Sequence, residues 1–465
     1  MRPVLTPKQM RVLDSEAITE GTSIDDLIGR AGAAVARAAK RMMGGLYGRT
    51  VVVITGKGNN GADGRVTARL LADQGVRVHV IDAEHMPLRL PVSDLIIDAA
   101  FGTGFRGEWS PPSTKGVPVL AVDIPSGIDG LTGLAAPDTW QATRTVTFVA
   151  LKPGLLLGAG RALCGDVELV DIGINLGMGN VDINEVERSD VSQWVPQRPF
   201  DSHKWKAALY AVAGSSGMMG AANLCSASAM RAGAGIVHVA SPGIVSDRST
   251  STEIVRRALP ALGWSNEVLD DLSRFKAVVI GPGLGRDEGT VNEARKVIAG
   301  SHIPMVIDGD GLFAVAWGGE GARDIVRARS AGTILTPHDG EFTTLLGYAP
   351  SHDRISSARR LASDTNCVCL LKGTTTVVAE PSGEVLMVAN GDQRLATAGT
   401  GDVLAGIIGA LLAQGVEPFH AAASGAWIHG YAASLFTANE GLIASDLVDL
   451  IPLALSHMRH VGVRD

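Results

Sequence analysis

The chain has 465 residues, a length that favours two domains over one. Apolar residues make up 46% and charged residues 19% of the chain, which is typical of a well-packed globular protein. The net charge of −7 argues against nucleic-acid binding, and the apolar runs are too short for a membrane span or a signal core, so we expect a cytoplasmic protein with no membrane partner.

The first half of the chain predicts an α/β domain with a parallel sheet. An alanine-rich helix is expected from about 25 to 43. Apolar runs that alternate with helical patterns are typical of strands whose two faces are both covered by helices. The predicted strands are 50–55, 76–81, 94–101, 117–124, 144–150 and 167–173.

A more polar segment, from about 175 to 202, follows these strands and contains Pro196 and Pro199. Because such segments separate domains, we predict two domains, residues 1–198 and 199–465. The α/β alternation then restarts, and helices are expected at 402–414 and 418–436. The predicted strands of this half are 208–214, 235–240, 277–283, 304–311, 333–340, 368–373, 375–380 and 384–390.

In the first half, the stretch GKGNNGADG follows a predicted strand and opens a helix, which is a phosphate-binding arrangement. It does not match the dinucleotide fingerprint G-x-G-x-x-G. Asn60, Asp98 and Ser126 follow three strands of the same sheet, and together their oxygens suit a hard cation. Each residue taken alone would more simply be a turn or cap residue.

In the second half, the stretch TAGTGDVLAG places glycines and Asp402 where an apolar helix begins. The free N–H groups of a helix start bind anions, so a phosphate or an oxyanion is expected there. A carboxylate beside a phosphate is useful if it handles a proton, which makes Asp402 a candidate base. The alternative is that Asp402 only caps its helix.

TAGTGDVLAG, KGTTT, TPHDGEF and GPGLG resemble the NAD(P)H-hydrate dehydratase domain over about 205–465. The resemblance implies a ribokinase-like fold and removal of water from hydrated NADH or NADPH (NADHX, NADPHX), with ADP or ATP as co-substrate and magnesium. The residues that it assigns to the adenine nucleotide are Lys372, Gly373, Thr374, Thr375, Thr376 and Gly401. Those that it assigns to the hydrate are Ala221, Gly285, His338 and Asp402.

GNNGADG, the FGTG loop and DIPSG resemble the NAD(P)H-hydrate epimerase domain over about 5–175. The resemblance implies a Rossmann-like fold, potassium bound by Asn60, Asp98 and Ser126, and proton transfer by Asp123. The hydrate is assigned to Asn59, Asn60, Gly61, Ala62, Asp63, Gly102, Thr103, Gly104, Phe105, Arg106, Gly107, Glu108 and Asp123.

One departure from the epimerase pattern lies at Ala62, where the family has glycine. If the backbone there needs a positive φ, alanine costs about 1 kcal/mol or more. The sequence as a whole predicts a bifunctional repair enzyme for nicotinamide nucleotides that forms a homo-oligomer. The alternatives are a ribokinase-like small-molecule kinase fused to a nucleotide-binding module, and a first half that is a non-catalytic scaffold.

Overall fold

The computed structural model describes residues 1–177, 181–244, 252–316, 318 and 320–459. It divides into two compact units, Arg2–Ile183 and the chain from Asn184 onward. The predicted boundary after residue 198 lies further along the chain than this division. Among the described residues, no helix is both long and apolar enough to cross a membrane.

The first unit contains a parallel sheet flanked by helices. Its strands are β1 (Arg2–Pro3), β2 (Thr50–Thr55), β3 (Arg77–Asp82), β4 (Leu95–Ala99), β5 (Val119–Val122), β6 (Arg144–Phe148) and β7 (Asp166–Val170). Its helices are α1 (Pro7–Thr19), α2 (Ile24–Met43), α3 (Asn59–Ala72), α4 (Pro153–Leu156) and α5 (Gly158–Leu163).

Six of these seven strands, β2 to β7, form the sheet, in the order β3-β2-β4-β5-β6-β7. Every neighbouring pair in it is parallel. Successive side chains enter opposite faces: Val51 and Val53 join one apolar cluster, and Val52 and Ile54 join the other. The inner strands β2, β4 and β5 are buried on both faces and largely apolar, whereas the edge strand β3 is mostly exposed. The parallel order brings the carboxyl ends of β2, β4 and β5 to one edge, as the sequence predicted.

The second unit is also α/β. Its strands, with β8 at the boundary, are β8 (Ile183–Glu185), β9 (Ala208–Val212), β10 (Ile236–Pro242), β11 (Val255–Leu259), β12 (Ala277–Ile280), β13 (Met305–Ile307), β14 (Thr333–Leu335), β15 (Val368–Leu371), β16 (Thr376–Ala379) and β17 (Val385–Val388).

The helices of the second unit cover its sheet. They are α6 (Arg188–Trp194), α7 (Met219–Arg231), α8 (Ser265–Asp271), α9 (Glu288–Gly300), α10 (Asp310–Ala316), α11 (Glu320–Arg327), α12 (Asp339–Leu346), α13 (Arg354–Thr365), α14 (Thr400–Ala413), α15 (Pro418–Ser434) and α16 (Ala444–Arg459).

Strands β17-β16-β15-β14-β13-β12-β9-β10-β11 are neighbours in this order. The run from β15 to β11 is parallel, whereas β15, β16 and β17 pair antiparallel. Helix α14 is almost wholly buried, which explains its unbroken apolar sequence after Asp402. The loops that follow β12, β13, β14 and β15 therefore lie side by side.

The sequence predicted the positions of every strand except β1, β8 and β11, and it extended several strands too far at their carboxyl ends. The predicted strand 304–311 ends at Ile307, and the predicted strand 333–340 ends at Leu335. Helices begin within both predicted segments, at Asp310 and Asp339. The turns between strand and helix are Asp308-Gly309 and Thr336-Pro337-His338, and site residues lie in both.

Candidate active sites

The glycine loop of the first unit connects β2 to α3 and has no room for side chains at two positions. A Cβ on Gly56 would lie 1.9 Å from the carbonyl oxygen of Ala100, and one on Gly61 would lie 1.9 Å from that of Gly56. The loop therefore packs backbone against backbone. This packing requires glycine at both positions.

Ala62 lies inside α3 and not in a turn. Its N–H donates to the carbonyl oxygen of Gly58 over 3.1 Å, and the backbone φ of Ala62 is not positive. The strain that a positive φ would have imposed on alanine does not arise. The departure from the family pattern is therefore compatible with an intact loop.

Asp98 lies within β4 and is fully buried, whereas the sequence predicted it to follow the strand. The Ser126 hydroxyl donates to Oδ1 over 2.5 Å, and the Ser126 N–H donates to Oδ2 over 2.8 Å. Burial raises the pKa of Asp98, although these hydrogen bonds oppose the rise. Among the described residues, no lysine or arginine forms an ion pair with this carboxylate.

Asn60 stands in the first turn of α3 and is also buried. Neither Oδ1 nor Nδ2 of its amide has a hydrogen-bond partner among the described residues. An unpaired amide oxygen and a buried carboxylate without a counter-charge are the surroundings that a bound cation satisfies. The three predicted ligands therefore fit a potassium ion, and this set contains no thiolate or imidazole that would favour a transition metal.

Asp123 follows β5 in the left-handed region, with φ +67°, which is uncommon for a residue other than glycine. Its Oδ1 accepts hydrogen bonds from Lys152 Nζ over 2.5 Å and from Thr147 Oγ1 over 3.1 Å. Its Oδ2 lies 3.7 Å from the position that a Cβ on Gly102 would take. Backbone strain at a site is commonly maintained because the surrounding contacts hold it, and here Lys152 provides such a contact.

Two further carboxyl groups lie near Asp123. Burial and the neighbouring charges of Asp123 and Asp14 raise the pKa of Asp63 to about 8. Burial also raises the pKa of Asp14, and the Lys152 charge opposes the rise at both groups. At neutral pH the pocket therefore holds Asp63 mainly as a neutral acid, a form that can donate a proton.

These groups line a cavity of about 660 Å³. The predicted substrate residues that line it are Asn59, Asn60, Asp63, Gly102, Thr103, Gly104, Phe105, Arg106 and Asp123. The predicted residues that do not line it are Gly61, Ala62, Gly107 and Glu108. Lys152 and Asp14 also line the cavity but were not among the predicted site residues, although Lys152 is an isolated charge in the apolar run VTFVALKPGLLL.

In the second unit, the predicted helix after GTGD is α14. Its N-cap is Gly399, which has φ +89° and provides no side-chain cap, and Asp402 lies in the first turn. The alternative that Asp402 only caps the helix is therefore wrong. Burial, followed by the charge of Asp308, raises the pKa of Asp402 to about 6. A carboxylate with this pKa is ionised at neutral pH and can accept a proton.

Lys372 faces this helix start. Its Nζ lies 2.9 Å from Asp308 Oδ1 and 3.4 Å from Glu341 Oε2, and 3.6 Å from the position that a Cβ on Gly401 would take. Burial acts to lower the pKa of Lys372, but the two carboxylates outweigh it and the pKa is raised. The ammonium group is therefore a fixed positive charge beside the GTGD loop.

The other residues of KGTTT differ in exposure. Gly373 and Thr374 are exposed, whereas the side chain of Thr375 is buried in the fold. Arg354 donates to the carbonyl oxygen of Lys372 over 2.7 Å and to Asp339 over 3.1 Å, which holds the loop against α12. Of this segment, Lys372, Gly373, Thr374 and Thr376 retain exposed surface, so only Thr375 is inaccessible for binding.

His338 caps α12. Its Nδ1 accepts hydrogen bonds from the N–H groups of Gly340 and Glu341 over 3.0 and 3.2 Å. The side chain of Glu341 accepts in return from the N–H of His338 over 2.9 Å. His338 thus has a structural role through Nδ1, and its Nε2 lies 3.5 Å from Glu341 Oε1 on a side chain that is exposed enough to contact a ligand.

The GPGLG loop packs against the start of α7. A Cβ on Gly283 would lie 2.9 Å from the Cβ of Ala221. The N–H of Gly285 donates to Asp310 Oδ2 over 2.9 Å, and Asp310 is one of the charges that raise the pKa of Asp402. The structure therefore brings Ala221, Gly285, Lys372 and Asp402 to the same end of the sheet. Asp310 and Glu341 were not assigned from the sequence.

Two α/β units, each with a glycine loop and buried acid–base groups at the carboxyl ends of parallel strands, define an enzyme that handles nucleotides. The family model described as NAD(P)H-hydrate dehydratase matches residues 209–453. The model described as YjeF-related protein N-terminus matches residues 24–92 and 82–154.

Several bifunctional NAD(P)H-hydrate repair enzymes are similar over most of the chain. The enzyme of Moorella thermoacetica is 34% identical, with 93% of this chain and 92% of that protein covered. The enzyme of Mycobacterium leprae is 35% identical, with 90% and 89% covered. The Escherichia coli enzyme is 33% identical, with 85% and 83% covered.

Solved structures match the second unit. The ADP/ATP-dependent NAD(P)H-hydrate dehydratase from Bacillus subtilis, co-crystallised with ATP and Mg²⁺, is 28% identical with a TM-score of 0.50, and 58% of this chain and 97% of that one are covered. A ribokinase-like protein from Enterococcus faecalis has a TM-score of 0.53 at 20% identity, covering 61% and 98%, and shows the same fold. The chain belongs to the family of bifunctional NAD(P)H-hydrate repair enzymes.

Proposed function

We propose that this protein repairs hydrated NADH and NADPH, with one activity in each unit. The unit Arg2–Ile183 interconverts the R and S epimers of the hydrate, and the unit from Asn184 dehydrates the S epimer at the expense of ADP or ATP. The observation that carries the proposal is Asp402, a carboxylate with a raised pKa in the first turn of α14 that does not cap the helix.

In the dehydration, Asp402 takes the proton of the substrate hydroxyl group. The hydroxyl oxygen attacks the terminal phosphoryl group of the nucleotide, whose bond to the bridging oxygen breaks, and the nucleotide leaves with one phosphate fewer. The lone pair of the ring nitrogen then expels the phosphate, and loss of a ring proton restores the reduced nicotinamide. The N–H groups at Gly399–Gly401 and the charge of Lys372 stabilise the phosphoryl group during transfer.

The nucleotide lies along the KGTTT loop, where Gly373 and Thr374 are exposed and Lys372 points toward Gly401. Magnesium has no ready-made cage of carboxylates, because Asp308 and Glu341 already contact Lys372 and Asp310 contacts Arg286. Among the described residues, no group of three or more metal-binding side chains is formed. Mg²⁺ would instead be bound through the nucleotide phosphates.

In the epimerisation, the substrate occupies the cavity beside Asp123, and Asp123 transfers the proton. Potassium held by Asn60, Asp98 and Ser126 would supply a positive charge that offsets Asp98 and attracts the substrate phosphates. The cavity of about 660 Å³ is large enough for the part of the dinucleotide that carries the hydrated ring.

A decisive experiment follows the reduced-nicotinamide absorbance after the protein is mixed with NADHX and ADP. Return of the absorbance together with release of phosphate supports the proposal. A ribokinase-like kinase would instead leave a stable phosphorylated alcohol. The kinase alternative is not favoured, because the similar repair enzymes cover both units of this chain.

A further inference from the structure

Lys152 is a buried lysine of the first unit that the proposed chemistry has not used. It follows β6, and only 2% of its side chain is exposed. All three N–H donors of its ammonium group are paired: with Asp123 Oδ1 over 2.5 Å, Thr147 Oγ1 over 2.8 Å and the carbonyl oxygen of Phe148 over 3.0 Å. Burying an ammonium group is costly, and such complete pairing is what makes the burial tolerable.

The contact between Lys152 and Asp123 places the two carboxylate oxygens of Asp123 in different surroundings. Oδ1 accepts from both Lys152 and Thr147, so it is not available to a substrate. Oδ2 lies toward Gly102, which lines the cavity. The backbone of Asp123 is in the left-handed region, so this orientation depends on contacts of the side chain.

We propose that Lys152 is a positioning residue for epimerisation, which holds Asp123 by Oδ1 so that Oδ2 faces the substrate. The inference rests on the proposed function of the first unit and adds a residue that acts through Asp123. Loss of the ammonium group frees the carboxylate to rotate, and misplacement of a reacting group by about 1 Å lowers a rate by about 100-fold.

The charge of Lys152 has a second consequence, because it faces three carboxyl groups from different elements. Asp14 comes from α1, Asp63 from α3, and Asp123 from the loop after β5. The Lys152 charge opposes the raised pKa of Asp14 and Asp63, so its removal shifts their protonation to higher pH. The other charged side chains that line the cavity are all exposed: Arg11, Lys57, Glu84 and Arg106.

The test is Lys152→Met in the full-length protein, with epimer conversion followed by chromatography in the absence of nucleotide so that dehydration does not occur. We expect kcat to fall about 100-fold while KM changes less than about threefold, and the high-pH limb of the rate profile, where Asp63 loses its proton, to move to higher pH. The matched control is Lys40→Met, which removes an exposed lysine of α2 and should behave as wild type.

Thr147→Val provides a second test that retains the ion pair. It removes one hydrogen bond from each of Lys152 and Asp123, so kcat should fall about 5- to 10-fold in a protein with the melting profile of the wild type. This variant decides the question if Lys152→Met does not fold.

Wild-type kcat in Lys152→Met, or in Thr147→Val if the first variant is unfolded, would overturn the positioning role. A rise in KM that accounts for the whole loss would also overturn it, because the lysine would then bind substrate directly. If the wild-type protein converts no epimers at all, the proposed function of the first unit fails, and that result is distinct from either outcome for the variants.

Discussion

The Oγ atom of Ser126 lies 2.5 Å from Oδ1 of Asp98, in the interior of the first unit. The Ser126 hydroxyl is the donor, so it stabilises the ionised form of the Asp98 carboxyl group without neutralising its charge. The amide of Asn60, buried in the first turn of α3, has no hydrogen-bond partner among the described residues. A buried carboxylate that is hydrogen-bonded but has no cationic side chain beside it among the described residues is compatible with the potassium ion that we propose for this site.

The first prediction is that epimerisation requires potassium. Replacing KCl by LiCl at constant ionic strength should slow conversion of the R epimer at least about 10-fold, because the smaller ion fits the three oxygens poorly. Asp98→Asn should abolish the cation dependence together with most of the activity. The control Asp94→Asn alters an exposed carboxylate paired with Arg49 and should retain the dependence. Equal rates in both salts would exclude the site.

The second prediction concerns Ala62→Gly. Because Ala62 lies in α3 with an ordinary helical backbone, glycine there should reduce stability by about 0.5–1 kcal/mol and leave epimerisation unchanged. Thermal unfolding and epimer conversion measure the two effects, and Ala72→Gly at the exposed end of the same helix is the comparison. A marked gain in epimerase rate would show that alanine impairs the loop.

The fold was predictable from the sequence because most of its strands are buried on both faces. Continuous apolar runs such as TVVVIT identify such strands regardless of neighbours. Their ends were less predictable: the predicted strands ran past Ile307 into Asp308-Gly309 and past Leu335 into Thr336-Pro337-His338, although aspartate, glycine and proline favour turns. Edge strand β11, exposed and with two arginines, gave no apolar signal and was missed.

The sites were predictable only as far as the motifs extend. Asp402, Asp123 and the glycine loops lie in recognisable stretches, and the structure brings each group to one sheet edge. Lys152 lies outside every motif that the sequence analysis used, and its role depends on a contact with Asp123 across 29 residues of chain. The raised pKa of Asp63 likewise depends on burial beside Asp123 and Asp14, which no local pattern encodes.

The third prediction is that Asp402→Asn lowers the dehydration rate at least about 100-fold, the usual scale for loss of a positioned base. Because Gly399 is the N-cap, the substitution leaves the capping of α14 untouched. Nucleotide binding should persist or tighten, since a negative charge near the phosphates is removed. Single-turnover measurements and nucleotide titration separate the two effects, and full activity in the variant would contradict the mechanism.

The fourth prediction is a loss of dehydration at low pH. The pKa of Asp402 is about 6, so the base is ionised above this pH and becomes protonated as the pH falls below it. The pH dependence of kcat/KM reports the pKa values of the free enzyme, so kcat/KM for dehydration should decline below about pH 6. The Lys372 charge opposes this raised pKa, so Lys372→Met should move the decline to higher pH. A wild-type profile that is flat from pH 5 to 8 would contradict the assignment.

The fifth prediction concerns where the second unit begins. Helix α6 and the segment before it precede the boundary that the sequence predicted, yet Val186, Val191 and Val195 belong to the buried core of the second unit. The Trp194 ring also stacks on His420, with 4.2 Å between the ring centroids. A fragment that starts at residue 199 lacks all of these contacts, and each buried valine contributes about 1.5 kcal/mol or more.

We therefore expect a fragment from Asn184 to fold and to dehydrate the S epimer, whereas a fragment from residue 199 should melt at a lower temperature or precipitate. With a mixed sample of epimers, the fragment from Asn184 should stall near half conversion, because the epimerase unit is missing, and adding the separate first unit should restart the reaction. The melting temperatures of the two fragments and the progress curves measure these outcomes. Equal stability of the fragments would place the boundary after residue 198, and complete conversion by the fragment alone would refute the division of activities between the units.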